Sequence, residues 1–459
     1  MTRRGWLGRW PRPSGDETAV KPSTGFASRF QHLLERLRHP ESFIGPVLTL
    51  VSGTAIAHAI TAATLIVLTR LYTPQDFGVL GLFSSIYFIL AVIACLRFEI
   101  AIPLPAEDED ARDVFWLALL GGLFLSIFTA LALLIIPDRL FARWGLALVA
   151  PYLWMLPLAL LATACFAALQ SWHVRKKSYG LVARARVAQS AGASTIQIAS
   201  GLATPTPFGL IAGFVVNGGA ATILIIIRMW RKSALSVLKP DFSRLPASLR
   251  RHSYYPRYSI WEALANSAAI QIPILMIGIL VSEAEVGQLL LATSVVQAPM
   301  ALFGTATAQV FLSQAPERAR QGRLAEITRV TTWALFRVGA PILLAIGLLS
   351  PFAFPLVFGS EWSRAGLIAA WMTPWLMLQF LASPIMMTLY IAKRQRLAMV
   401  LQVGGLLFRV LLTWLGATML DGRATEAYAL SGAIFYGVMI VIILKISEFK
   451  IVVDNIKRY

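Results

Sequence analysis

The sequence predicts an all-α polytopic membrane protein, with about twelve transmembrane helices in two six-helix lobes related by a pseudo-two-fold axis along the membrane normal. Three observations carry this expectation. Of 459 residues, 57% are apolar and 14% charged, with a mean hydropathy of +0.68. A soluble domain carries about 25% charged residues and needs them to cover its surface. The apolar residues fall into runs near the ~20-residue length that crosses the hydrocarbon core of a bilayer. The 41 Lys and Arg, which outnumber 23 Asp and Glu to give a net charge of +18, lie mostly between those runs. Together these features exclude a soluble enzyme, a disordered tail protein and a disulfide scaffold. Basic residues spaced between membrane runs also argue against a nucleic-acid partner.

Residues 1–42 are polar and basic, with Pro11, Pro13, Pro22 and Pro40. They lack the apolar core of a signal peptide. Phe26, Phe30, Leu33, Leu34 and Leu37 recur at helical spacing among Arg29, Arg36 and Arg38. The pattern suits a short amphipathic helix on an anionic membrane face, or a solvated tail. Spans then follow at roughly 44–69, 77–96, 114–136, 146–169, 181–203, 208–228, 259–281, 286–312, 330–357, 365–391, 397–419 and 426–444. The fifth is the weakest, because Arg184, Arg186 and Gln189 crowd its start. With the N-terminus in the cytoplasm, 34 of the 41 basic residues fall on cytoplasmic segments and 5 (Arg70, Arg139, Arg143, Arg364, Arg423) fall outside. That asymmetry is the positive-inside pattern, and it places both termini in the cytoplasm. The outer loops are short, which leaves an externally acting polymerase or ligase no domain in which to build its site.

An internal repeat divides the chain. Thr73-x-x-Asp76 and Ser282-x-x-Glu285 both have the form of helix-capping boxes, and Gly78 and Gly287 follow at the same offset of 209 residues. Each motif lies between the first and second spans of a six-span set, so the halves form parallel repeats. The expected organisation is a basic tail (1–42), an N-terminal lobe (43–228), a basic linker (229–257), a C-terminal lobe (258–446) and a cytoplasmic tail (447–459).

Motifs of enzymatic chemistry are missing. Cys95 and Cys165 lie in separate apolar runs, the five histidines are scattered, and neither H-E-x-x-H nor a phosphate-binding G-x-x-x-x-G-K-[ST] occurs. No catalytic residue, metal or cofactor is expected, and an ATP-driven motor would have to come from another subunit.

The stretch Thr69-Arg70-Leu71-Tyr72-Thr73-Pro74-Gln75-Asp76-Phe77-Gly78 resembles the first outer loop of bacterial polysaccharide flippases. These are the oligosaccharide-lipid translocases of the multidrug/oligosaccharidyl-lipid/polysaccharide exporter superfamily. Similar too are Leu96-Arg97-Phe98-Glu99-Ile100-Ala101-Ile102 with Leu104-Pro105 and the acidic run Glu107–Asp110, and Tyr255-Pro256-Arg257-Tyr258-Ser259 with Asn266 and Gln271-Ile272-Pro273. So is Gln309-Val310-Phe311. The resemblance covers residues 43–446. It implies a V-shaped alternating-access carrier, not an enzyme, in the bacterial inner membrane. The cargo would be an undecaprenyl-pyrophosphate-linked oligosaccharide destined for O-antigen, capsule or exopolysaccharide. Membrane lipids, a polymerase and chain-length proteins are the implied partners. The alternatives are another exporter of the superfamily, namely a cation-coupled drug exporter or a peptidoglycan-precursor flippase, or a membrane glycan polymerase or ligase.

Such a cargo has an anionic, hydroxylated head that loses water in hydrocarbon. Its carrier needs ionisable groups at membrane depth. Arg409 lies about 12 residues into span eleven, roughly 18 Å deep, and Arg337 about 7 or 8 residues into span nine, roughly 11 Å deep. A guanidinium fork suits phosphate. Both arginines are therefore candidate substrate ligands, against a salt-bridged or snorkelling role. Arg70 at the outer end of span one, and Glu262 and Asn266 one turn apart on span seven, complete the candidate substrate set. His58 and Glu262 are candidates for ion coupling. Thr73, Asp76, Ser282 and Glu285 are expected as structural caps. Glu99 is expected to partner Arg97, and Glu107–Asp110 to be a solvated loop that also favours the next helix start. Pro273, Pro299, Pro341, Pro374 and Pro384 are candidate kinks.

Overall fold

The computed structural model describes residues 44–231, 237, 241–392 and 394–448, and no strand occurs among them. The amphipathic segment expected at 26–38 and most of the C-terminal tail lie outside the described residues. Twelve helices of 18 residues or more follow one another: α1 (Ile44–Leu71), α2 (Pro74–Ala91), α3 (Asp108–Ile135), α4 (Leu156–Arg175), α5 (Tyr179–Ala203), α6 (Pro207–Arg231), α7 (Ile260–Leu280), α8 (Glu283–Arg320), α9 (Leu324–Phe358), α10 (Ser363–Ile385), α11 (Gln395–Met419) and α12 (Ala424–Glu448). They fall on the twelve expected spans in order. Among the described residues, ten are long and apolar enough to cross a membrane.

The other two are α5, which is polar, and α8, which is apolar over its first half and longer than a span. The α5 sequence carries Arg184, Arg186 and many Ser, Thr, Gly and Ala residues. It packs along α6 and bonds to α1, where Thr64 Oγ1 donates to Ser194 Oγ at 2.7 Å and Thr61 Oγ1 reaches Ser190 Oγ at 3.4 Å. Small and hydroxylated residues let membrane helices approach closely and bond across. The α8 helix is 38 residues long, about 57 Å at 1.5 Å per residue, and exceeds a bilayer core. Its last turns, from Pro316 to Arg320, are charged. Near its start Val286, Leu291, Ala292 and Val296 are fully buried, between α2 on one side and α10 on the other.

Within the first half, α3 packs on α4, α4 on α6, and α2 on both α4 and α6; within the second, α9 and α12 pack on α10 and α7 on α11. The halves meet through α2, which packs on α7 and α8. The prolines sit inside long helices, Pro273 in α7, Pro299 in α8, Pro341 in α9, and Pro374 and Pro384 in α10.

Helix starts follow their chemistry. Thr73 Oγ1 accepts from the Asp76 backbone N–H at 3.2 Å, and Asp76 Oδ2 accepts from the Thr73 N–H at 2.9 Å, with Pro74 in the first turn of α2. At α8 only half of the box forms. Ser282 Oγ accepts from the Glu285 N–H at 3.2 Å, while the Glu285 carboxylate turns to Arg364 at 2.7 Å. Removing the Thr73 hydroxyl in Thr73→Ala is expected to cost about 1 kcal/mol, read as a lower midpoint of thermal unfolding in detergent.

The acidic run departs from expectation in part. Glu107, Asp108 and Glu109 are exposed and open the next helix as expected, but Asp108–Asp110 form the first turn of α3 instead of a loop, and basic side chains grip them. Arg175 meets Asp108 at 3.1 Å and Lys176 pairs with the same carboxylate. Arg244 bridges Glu109, Asp110 (3.1 Å) and Asp113 (3.2 Å), and Arg251 meets Asp110 at 2.9 Å. The last two arginines flank and end a short helix, Leu245–Arg251, in the basic segment after α6. The physical reason is local excess: a chain this basic leaves a four-residue acidic run many partners. Beside it, Arg97 meets Glu99 at 3.5 Å, and burial pushes the Glu99 carboxyl up, its own backbone N–H and Arg97 pulling it back down.

Candidate functional site

At the end of the bundle where α1 stops, the two halves are clasped. Gly78 in α2 lies so close to α8 that a Cβ built on it would stand 1.9 Å from the Glu283 carbonyl oxygen; one built on Gly287 would stand 1.9 Å from the Pro74 carbonyl oxygen. Under the 209-residue repeat, Pro74 corresponds to Glu283 and Gly78 to Gly287. The contact is therefore reciprocal, as across a two-fold axis. That axis passes between the first turns of α2 and α8.

Side chains extend the clasp. Trp362, fully buried after α9, donates from Nε1 to the Thr69 carbonyl at 3.0 Å and sets its ring edge-on to Phe77, centroids 5.0 Å apart. Arg70 donates to the carbonyls of Leu356 (3.3 Å) and Val357 (3.0 Å) at the end of α9. Gln288 in α8 donates to the Glu361 carbonyl at 2.7 Å and accepts from the Ala365 N–H at 2.9 Å. Arg364 joins Glu285 and Glu426, each at 2.7 Å, tying α10 to the starts of α8 and α12. Tyr72 closes the corner between α1 and α2, donating to the Gln197 carbonyl at 2.8 Å. Burial, with Asp76 adding to it, pushes its phenol up to about 12, so it remains a donor.

Arg409 is 2% exposed and lies within the second half. Its guanidinium faces Phe435 (4.8 Å), Trp375 (5.0 Å) and Tyr436 (5.4 Å). Nη1 donates to the Ala269 carbonyl of α7 at 3.3 Å. Its Nε and Nη2 are buried and meet no acceptor among the described residues. Aromatic faces attract a cation, but they do not satisfy N–H groups. The arrangement holds a positive charge with two spare donors, which is what an anionic or hydroxylated ligand requires.

The remaining candidates are dispersed. Arg337 is exposed on α9, over the Trp333 ring at 5.1 Å. Glu262 and Asn266 are both exposed, one turn apart on α7. His58 is half-buried on α1. Arg70 belongs to the clasp, and Asp76 and Glu285 are occupied at their helix starts. Arg70, His58 and Arg337 stand on helices other than α7, α10 and α12, which surround Arg409, while Asn266 lies one turn from Ala269, whose carbonyl Arg409 bonds.

Residues 67–366 match the family described as polysaccharide biosynthesis protein. The chain belongs to that family. The match runs from the end of α1 into α10, so the polysaccharide biosynthesis family shares the segment that builds the clasp. Among solved structures the fold is similar to a MOP superfamily transporter from Pyrococcus furiosus (TM-score 0.62, 15% identity, 91% of this chain and 97% of that one). It is also similar to the lipid II flippase MurJ in an inward closed conformation (TM-score 0.61, 13% identity, 87% and 90%). A multidrug resistance MATE family transporter in an inward-facing conformation aligns as well (TM-score 0.58, 15% identity, 90% and 97%). At such identities the likeness is one of fold. The comparison with curated proteins gives no match. This member of the polysaccharide biosynthesis family is thus a multi-pass helical membrane protein that shares its fold with those transporters, and the resemblance read from its first outer loop is borne out.

Sequence reading overlooked Trp362, Arg364, Gln288 and Trp375. Arg364 counted only as an outer-loop charge. The available signal was the segment Ser360-Glu361-Trp362-Ser363-Arg364, where a large aromatic stands in a short loop.

Proposed function

We propose that this chain carries undecaprenyl-pyrophosphate-linked oligosaccharides from the inner to the outer leaflet of a bacterial inner membrane by alternating access, for assembly of a surface polysaccharide. The observation that carries the reading is the reciprocal Gly78–Glu283 and Gly287–Pro74 contact. A two-fold seam closed over one end is what two lobes need if they rock about the substrate path. In this reading residues 43–228 and 258–446 are the lobes, 229–257 is the linker, and both termini are cytoplasmic. The clasped end is then the outer one. Arg409 supplies the buried cation for the diphosphate or sugar. Arg337, Glu262 and Asn266 meet the head group at other stages, and Arg70 meets it only after the clasp opens. His58 and Glu262 are the groups to test for ion coupling. The chain is a carrier rather than a catalyst, delivering its cargo to a polymerase and chain-length proteins.

The test is deletion followed by lipid analysis. Complete lipid-linked repeat units are expected to accumulate in the cytoplasmic leaflet. Units that reach the outer leaflet but stay unpolymerised would assign the chain to polymerisation instead.

A further inference from the structure

At the end opposite the clasp, the first half holds a cavity of about 570 Å³ framed by the start of α3, the end of α4, the start of α5 and the end of α6. Its volume lies within the range of small-molecule sites. Its wall carries five cations, Arg112, Lys176, Lys177, Arg184 and Arg228, against one carboxylate, Asp108. That carboxylate is already engaged by Lys176 and by Arg175. Arg112, Lys177, Arg184 and Arg228 make no ion pair among the described residues, and the Arg112 Nε is buried with no acceptor there. Arg112 feels the Asp113 and Asp241 carboxylates at longer range, whereas Lys177, Arg184 and Arg228 share the wall without an ion pair and repel one another. The arrangement is stabilised by an anion between them.

A second, independent feature points the same way. His173 is 8% exposed and forms part of the wall, yet neither ring nitrogen has a partner among the described residues. A buried imidazole with two idle nitrogens carries a desolvation cost, and a ligand oxygen accepting from its N–H relieves the donor's share of it. The first turn of α5, Ser178 to Leu181, closes the cavity. The Ser178 and Leu181 N–H groups are bonded within the chain, to the His173 and Ser178 carbonyls, and the dipole of α5 favours negative charge at this end. The Ser178 side chain does not cap that turn.

The location narrows the anion. The wall is built from residues at the ends of the spans, where headgroups lie. Trp172, with Lys176 5.4 Å from its ring, stands at the boundary favoured by membrane tryptophans. We infer that this cavity binds the phosphate of a membrane-anchored lipid, at a site within one half of the molecule and separate from the Arg409 enclosure. Two sources share that chemistry, an anionic phospholipid headgroup and the diphosphate of a polyprenyl lipid. Only the second rests on the flippase reading; the first stands without it.

The experiment measures thermal unfolding of the full chain reconstituted in phosphatidylcholine vesicles, alone, with phosphatidylglycerol, or with undecaprenyl pyrophosphate. At least one of the two anionic lipids is expected to raise the midpoint, and high salt to shrink the rise. In Arg184→Gln/Arg228→Gln, apparent affinity for that lipid is expected to fall about tenfold or more. In the control Arg250→Gln/Arg323→Gln, which removes two exposed charges outside the cavity, it is expected to hold. A rise with phosphatidylglycerol alone assigns a phospholipid headgroup; a rise with undecaprenyl pyrophosphate alone assigns the cargo lipid. No rise in the wild type, or equal losses in both double variants, overturns the site. Should the cavity variant fail to fold, His173→Phe, which removes both ring nitrogens and leaves the cations in place, is expected to shrink the same rise, and an undiminished rise in it overturns the site.

Discussion

Gly78→Ala and Gly287→Ala are each expected to abolish transport while leaving a folded, membrane-inserted protein. In either variant the new methyl group stands 1.9 Å from a backbone carbonyl oxygen of the facing helix, and that distance must grow to the 3.4 Å of ordinary contact. A backbone cannot step aside as a side chain can, so α2 and α8 must part. Forcing extra volume into a close-packed contact costs about 1–3 kcal/mol. The cost falls only on the clasped state. Each 1.4 kcal/mol shifts a two-state balance about tenfold, so one methyl group can move the lobes from mostly clasped to mostly open. The measurement is the distance between spin labels at Gln75 and Ser360, both exposed and on opposite sides of the seam. It is expected to lengthen in either variant. Because both glycines flank one axis, the first substitution relieves the second. The double variant should therefore lengthen the distance little beyond a single one, a non-additivity expected only of a shared seam. An unchanged distance with normal transport would remove the clasp from the mechanism.

The parts of this protein that were legible in its sequence are those set by local pattern. Apolar runs place the twelve helices because a span must satisfy its own backbone and present an apolar surface, whatever its neighbours. The polar α5 was the doubtful span because its surroundings, α1 and α6, license its composition, and a local window does not see them. The repeat of Thr73 and Gly78 with Ser282 and Gly287 was visible as spacing. Its meaning, two glycines facing each other's helix starts, needed the fold. The depth of Arg409 followed from helical rise, but the three rings around it come from α10 and α12. The Arg70–Val357 bond joins residues 287 apart in sequence. No periodicity reports contacts of that kind. The ion pairs of the acidic run were hidden for the same reason: its partners Arg244 and Arg251 lie on a different segment.

Arg409→Met is expected to keep or raise stability and to lower transport at least tenfold, and the contrast separates two roles for this side chain. If Arg409 merely knits the second half together, its contribution is one bond to the Ala269 carbonyl and its contact with three aromatic faces. Against that stand the desolvation of a charge and two buried N–H groups without acceptors, each costing about 1–3 kcal/mol. Methionine fills a similar volume, packs well on aromatic rings and leaves nothing unpaired. Replacing a buried charge by a well-packed apolar residue is often neutral or stabilising. A structural role therefore predicts no loss of transport in Arg409→Met. A ligand-binding role predicts a stable protein that no longer moves its cargo. Arg409→Lys sharpens the distinction: the charge stays but the planar fork is lost, so transport should fall between wild type and Arg409→Met. Arg409→Ala should fail for both reasons, since it also opens a cavity beside Trp375. The paired readouts are the thermal unfolding midpoint of purified protein and restoration of surface polysaccharide in a deletion strain. Normal restoration by Arg409→Met would reduce Arg409 to packing, whereas a stable but inactive Arg409→Met with a partly active Arg409→Lys would make its two idle donors the groups that meet the substrate.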